Sequence, residues 1–465
     1  MNTRVTGAIL FALIGLIVGV VQPISALART GNMAAASIII ALGLWVFRPG
    51  GLPYTAGCAV LLGGCLIAGL KFPVVMSGFS SPALWVLIPA LYFGFVLQKT
   101  GLGRRIVFWV LKSFRPSYLT IVIGWVIVGV ILSLLTPSIT VRVATVIPIA
   151  LGTVEACRLK LGSREASLIT LTAFGMALIP GVGWLTGSLW GPIFTGMFPA
   201  EVKALGNSSD WFKGMALYWL VVTVVYVTSL YLMLRPKQPL QMDRHAFHEE
   251  YNKLGKITRN ELASLLILIA AFLMFATESL HKIPTAATAL AAFFALTIFG
   301  VITTADIGTG VNWDIILFLG AAISLASITA GAGIAKWLSQ LLDPVISSWA
   351  PNPLAFLLMF VLIYWLFRFF DVGWGFTTAA LIAPLMVPLY TQHGIHPIII
   401  AVVFTIGGNC FFLAYQQPFA MMSQSINKDV WDAKHLSMGG IAYAVACIIA
   451  ILVSMPYWKA IGFIR

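Results

Sequence analysis

Charge is what this sequence has least of. Only 9% of its 465 residues are Asp, Glu, Lys or Arg, against roughly a quarter in a soluble domain. The shortage is sharpest for acids, with 15 carboxylates against 28 basic side chains. A soluble surface needs charge, so this composition excludes a soluble enzyme and a disordered segment alike. Cysteine is sparse too. Cys58, Cys65, Cys157, Cys410 and Cys447 have neither metal-ligand nor redox spacing, which excludes a secreted disulfide scaffold and leaves them as packing residues. The six histidines form no cluster with carboxylates, so no metal site is predicted. Nucleotide-binding glycine-rich loops and nucleophile–base pairs are missing as well. The chain therefore reads as a non-enzyme with no cofactor beyond a sodium ion or proton as coupling ion.

What fills the chain instead is apolar sequence, 60% of all residues, in runs of about 15–22 residues that approach or exceed the length needed to cross a bilayer. The fold class is an all-α polytopic membrane protein. About eleven spans are predicted near 7–27, 33–47, 54–70, 83–98, 165–199, 214–234, 262–279, 284–303, 312–331, 396–424 and 438–457. Those at 165–199 and 396–424 are broken, and the apolar stretches 118–152 and 353–390 read as re-entrant hairpins. The N-terminus (Arg4, an apolar stretch, then Ser25-Ala26-Leu27-Ala28) is read as an uncleaved first span rather than a signal peptide. With that terminus cytoplasmic, the dense basic clusters Lys99–Arg115 and Arg235–Arg259 both fall inside. The net charge of +13 is then a topology signal, with attraction to anionic membrane lipid as a side effect and no nucleic-acid partner implied. The setting this suggests is a bacterial inner membrane.

A polar linker at 235–261 divides the chain, too charged to enter lipid and suited to an amphipathic helix on the membrane surface. The same order of features stands on each side of it. Ser138-Ile139-Thr140-Val141-Arg142 leads to Pro148, and Trp374-Gly375-Phe376-Thr377-Thr378 leads to Pro384. Further on, Pro180-Gly181-Val182-Gly183-Trp184-Leu185-Thr186-Gly187-Ser188 interrupts one span, and Gly407-Gly408-Asn409 with Tyr415-Gln416-Gln417-Pro418 interrupts another. Two halves with matched interruptions are the pattern of a transporter built from inverted repeats. Within lipid a helix breaks only where protein or a water-filled cavity meets its freed backbone groups. Half-helix N-termini then offer N–H donors to an anion, and half-helix C-termini offer carbonyls to a cation.

Three landmarks, Leu44-Trp45-Val46, Lys99-Thr100-Gly101-Leu102-Gly103-Arg104-Arg105-Ile106, and Trp313 with Leu317-Phe318-Leu319-Gly320, resemble those of the divalent anion/sodium symporter family, part of the larger ion transporter superfamily. Their order and spacing run over nearly the whole chain. The resemblance implies a homodimer in which a scaffold holds transport domains that move as elevators, with two hairpins and two broken helices around each site. On that plan residues 1–117 are scaffold and 118–213 the first transport repeat. Residues 214–352 are scaffold with the linker, and 353–465 the second transport repeat. The family usually carries Ser-Asn-Thr at both hairpin tips. This chain has Ser138-Ile139-Thr140 and Trp374-Gly375-Phe376 instead, and Gly187-Ser188-Leu189-Trp190 and Tyr415-Gln416-Gln417-Pro418 at the broken helices. It is thus similar to a divergent member, and neither substrate nor coupling ion follows.

Arg142 is the most informative residue. An arginine at bilayer depth costs about 2.5–3.5 kcal/mol on insertion scales and faces a cavity or a partner. It either binds the substrate anion through its guanidinium, replaces a bound sodium as fixed charge, or forms a structural pair with a carboxylate. Ser138, Thr140, Thr186, Ser188, Thr377 and Thr378 supply hydroxyls at the breaks, although such hydroxyls often bond their own backbone. Gln416 and Gln417 add amides, and Gly187, Trp374 and Gly375 complete the candidate substrate contacts. Trp184, Trp190 and Trp374 either anchor at the interface or narrow the cavity. Asp371 with Gly183 and Gly373 forms a candidate coupling-ion site, or else Asp371 pairs locally with Arg368. The function that fits is secondary active transport of a small anion of the dicarboxylate, sulfonate or sulfate class, coupled to sodium, protons or anion exchange. The rivals are a cation/proton antiporter using Asp371, and the membrane subunit of a complex that needs a soluble substrate-binding protein.

Overall fold

The computed structural model describes residues 3–243, 245–369 and 382–465. Among the described residues the secondary structure is helical, the one β pairing being an isolated bridge between Ile395 and Ile464. Ten helices among the described residues are long and apolar enough to cross a membrane. The shorter apolar helices Tyr54–Ile67, Thr285–Ile298, Pro353–Phe367 and Pro397–Gly408 complete the set. Helix starts are set by polar caps. Ser117 and Thr120 form a capping box ahead of Tyr118–Leu135, and Thr258 and Glu261 do so ahead of Arg259–Ala276. Ser138, Ser163, Asn312 and Asp432 each accept from a backbone N–H of the first turn.

Polar contacts between chain-distant segments sort the helix ends onto two faces. On the linker face Lys99 pairs with Asp306 at 2.5 Å, and Asp314 accepts from the N–H groups of Tyr54 and Thr55. The buried Arg105 holds Glu261 at 2.7 and 3.1 Å and also donates to the carbonyls of Leu254, Gly255 and Lys256. That fork ties the amphipathic helix Leu102–Leu111 to the end of the linker, whose own helix is Ala246–Lys253. On the far face Glu278 accepts from Ser208 and Thr285, and Trp458 donates to the Gly214 carbonyl. The first span ends at Val21, earlier than the apolar run suggests. Asn32 folds the following loop back by bonding the carbonyls of Ile24 and Leu27, so that apolar stretch is spent on a turn.

Tyr118–Leu135 and Ile139–Ala156 are antiparallel arms joined by a turn at residues 136–138. The pair has arms of about 27 Å each, long enough to cross. Its tip docks against Gly94, inside the span Pro82–Thr100, where a Cβ would lie 2.8 Å from Thr136 Oγ1 and 3.0 Å from Ser138 Cβ. Glycine is what lets the tip close at this depth. The second hairpin contributes Pro353–Phe367 and Met386–His393. Its predicted tip lies outside the described residues.

Each hairpin is followed by a broken helix and then by a long unbroken one. The first broken helix is Arg164–Leu178, a 3-10 turn Pro180–Gly183 and then Trp190–Gly196. The second is Pro397–Gly408 followed by Pro418–Ile426. The long helices Ser208–Met233 and Ala433–Ala460 pack along one another. Each fastens a broken helix in the same way. Tyr226 donates to the Leu171 carbonyl at 3.0 Å and Tyr443 to the Ile406 carbonyl at 2.9 Å. Ser208–Met233, grouped with the scaffold by the sequence reading from residue 214 onward, packs on both broken helices and also touches Arg259–Ala276.

Candidate functional site

Arg142 sits in the first turn of the hairpin's second arm, where Ser138 caps the helix through Val141 N–H at 3.3 Å and Thr136 Oγ1 accepts from Ser138 N–H at 3.1 Å. Its side chain is 1% exposed. The guanidinium lies over Gly181 in the first break, so close that any Cβ there would collide with Nη1, Nη2 and the Gly187 carbonyl. Nε, Nη1 and Nη2 are all buried and have no hydrogen-bond partner among the described residues. No carboxylate among them pairs with it. A buried arginine with an unfilled fork is costly unless an acceptor arrives.

The other residues of the first break divide by role. Ser188 is fully buried and accepts from Trp190 N–H at 3.3 Å, a local bond at the start of Trp190–Gly196. Thr186 lines a cavity of 490 Å³ with Trp184, Phe212, Phe272 and Glu278. Trp184 donates to Ser133 Oγ at 3.2 Å and packs on Trp219 and Phe272, which fastens the hairpin to the break while the ring lines the cavity. Trp190 is wholly buried against Phe404, so it is no interfacial anchor. Gly183 rests on the Trp219 ring. Thr140 is exposed, whereas Arg142, two residues on, is buried. A second cavity of 710 Å³ opens on the linker face between the hairpin's second arm and the linker helix, lined by Thr145, Pro148, Arg104 and Glu250 among others.

At the second break the side-chain amides converge. Gln416 is 1% exposed and its Oε1 accepts from Phe412 and Leu413 N–H at 2.7 and 2.9 Å. Gln417 is fully buried and donates from Nε2 to the Asn409 carbonyl at 3.2 Å. Asn409, absent from the sequence-derived candidates, is fully buried with both Oδ1 and Nδ2 unpartnered among the described residues. Its sequence signal is a polar amide directly after Gly407-Gly408 at the end of an apolar half-helix. Arg368 caps the second hairpin's first arm and donates to the Gln416 carbonyl. Each break thus has one arginine on it. Asp371, Gly373, Trp374, Gly375, Thr377 and Thr378 lie outside the described residues, so a local Arg368–Asp371 pair has no geometry here.

Apolar helices of spanning length, with two helices broken around buried polar groups, define a polytopic membrane protein. The sequence matches the sodium:sulfate symporter transmembrane region over residues 2–464, and the chain belongs to that family. It is 25% identical over 430 residues to the chloroplastic dicarboxylate transporter 1 of Spinacia oleracea, covering 88% of this chain and 74% of that protein. It is 24% identical over 334 residues to the L-tartrate/succinate antiporter of Escherichia coli K12, covering 69% and 67%. The crystal structure of the Alcanivorax borkumensis YdaH transporter has the same fold, with a TM-score of 0.58 at 13% identity over 94% of this chain and 99% of that one.

Proposed function

We propose that this protein is a secondary active transporter of a small oxyanion, with Arg142 as the principal anion-binding group. The observation that carries the reading is the buried guanidinium whose three nitrogens find no acceptor among the described residues. An oxyanion fills a planar donor fork bidentately and neutralises the charge in the same step. A fixed positive charge at this break repels cations, which favours an anion carrier over the cation/proton antiporter. Relatives named as dicarboxylate and tartrate/succinate transporters favour small carboxylates over sulfate. The hairpins, broken helices and long helices move together as the transport unit against the remaining spans in an elevator-type cycle within a homodimer. The bacterial inner membrane with the N-terminus cytoplasmic is the setting in which the basic linker face meets the cytoplasm.

The test is uptake by proteoliposomes containing the purified protein alone. Succinate, tartrate, sulfate and a sulfonate are offered with sodium, with choline, under a pH step, or against internal dicarboxylate. Uptake of a carboxylate that Arg142→Gln abolishes supports the reading, and the condition that drives it names the coupling. Carboxylate uptake with unchanged affinity in both Arg142→Lys and Arg142→Gln sinks the role of Arg142. Cation flux with no anion dependence sinks anion transport altogether.

A further inference from the structure

We infer that the transported anion carries hydroxyl groups beside its acid groups, and that Asn409 with Gln417 reads them. The inference rests on the anion site proposed above and specifies its substrate. The second break holds four buried amide atoms without a partner among the described residues: Asn409 Oδ1 and Nδ2, Gln416 Nε2 and Gln417 Oε1. Their orientation is not arbitrary. Gln417 must turn its NH₂ to the Asn409 carbonyl, and Gln416 must turn its oxygen to two backbone N–H groups. That leaves Gln417 offering an acceptor and Gln416 a donor, while Asn409 offers both whichever way its amide is set.

Oxyanions cannot satisfy this set. Ionised carboxylate, sulfate and sulfonate oxygens only accept, so they can use the two NH₂ groups but leave Asn409 Oδ1 and Gln417 Oε1 unpaired. A hydroxyl both donates and accepts, and matches the mixed set. The two breaks are also brought together by packing. The arm bearing Arg142 packs against Pro418–Ile426, immediately after Gln417. The turn Pro180–Gly183 beneath the guanidinium packs against Pro397–Gly408, immediately before Asn409. A ligand with an acid group at Arg142 and a hydroxyl toward Asn409 therefore uses complementary chemistry from both repeats. A site whose polar groups are paired by a substrate hydroxyl discriminates strongly against the analogue lacking it, because those groups are then stranded.

The probes are succinate, L-malate and L-tartrate, four-carbon diacids with no, one and two hydroxyls. Apparent affinity is read from ligand-dependent stabilisation of the purified full-length protein, in sodium and in choline. Wild type is expected to bind malate or tartrate about tenfold or more tighter than succinate. Asn409→Leu is expected to bring the three within about threefold by weakening malate and tartrate more than succinate, and Asn409→Ser to retain part of the preference. Equal wild-type affinities overturn the inference without need of any variant. So does an Asn409→Leu protein that keeps the preference but loses a sodium dependence, since the amide oxygens would then hold a cation. If none of the three diacids binds, the carboxylate reading fails first and this inference with it.

Discussion

Replacing Arg142 by methionine separates a functional arginine from a structural one, because the two roles predict opposite signs. The guanidinium is 1% exposed, has no partner among the described residues and lies in a hairpin tip within the helix bundle. Holding an arginine at such depth costs about 2.5–3.5 kcal/mol on insertion scales. Methionine keeps most of the aliphatic stem that packs on the first break and removes the charge. The ligand-free Arg142→Met protein should therefore be more stable than wild type by about 1–3 kcal/mol, within the range seen when buried ions are replaced by apolar side chains. Arg142→Lys keeps the charge but not the fork, so it should gain nothing and bind anions poorly. The assay is thermal denaturation of detergent-purified protein with and without saturating carboxylate. Wild type should show a ligand-induced rise that Arg142→Met lacks, starting from a higher ligand-free baseline. A ligand-free Arg142→Met protein destabilised by some 3 kcal/mol would refute the argument, because the guanidinium would then have to be holding the protein together.

Further expectations concern the frame around that residue. Gly181→Ala should lower initial uptake rates at least tenfold, since its Cβ collides with both the guanidinium and the immobile Gly187 carbonyl; Gly152→Ala, whose Cβ meets nothing within 4 Å, is the control. Arg105→Ala should cost about 3–5 kcal/mol in denaturation experiments, because it strands the buried Glu261 carboxylate, whereas a change below about 1 kcal/mol would mean water replaces the fork. His396, the cap residue ahead of Pro397–Gly408 and stacked on Phe463 at 4.1 Å, has its pKa pushed down from 6.5 to about 4 by burial. The unfolded chain then binds the extra proton between those values, so stability should fall by up to about 3 kcal/mol as pH drops from 6.5 to 4. His396→Gln should flatten that slope, and an unchanged slope would assign the acid sensitivity elsewhere.

Much of this molecule was legible in the order of its residues. Apolar runs long enough to span, the linker too charged to enter lipid, and glycine and proline set inside apolar stretches all act locally. Bilayer length and backbone satisfaction therefore predict spans, linker and breaks without knowledge of neighbours. Arg142 stood out for the same reason, since a lone charge at depth is costly wherever the chain later goes. Local pattern misled where a hydrophobic run was used for something other than crossing. The turn after Val21 is folded back by Asn32.

What the tertiary structure alone decided is which groups are left without partners. Whether Arg368 reaches a carbonyl 48 positions away depends on contacts between segments distant in the chain. The same holds for Arg105 and Glu261, separated by 156 positions, and for the tyrosines that fasten both broken helices. Asn409 looked like ordinary punctuation after two glycines. It became a candidate specificity residue only when folding buried both of its amide atoms and left them without a partner among the described residues. Composition and spacing determine where a membrane chain can run, because lipid charges every residue by the same rules. Unsatisfied hydrogen bonds arise only after all other pairings are made, and that remainder belongs to the fold.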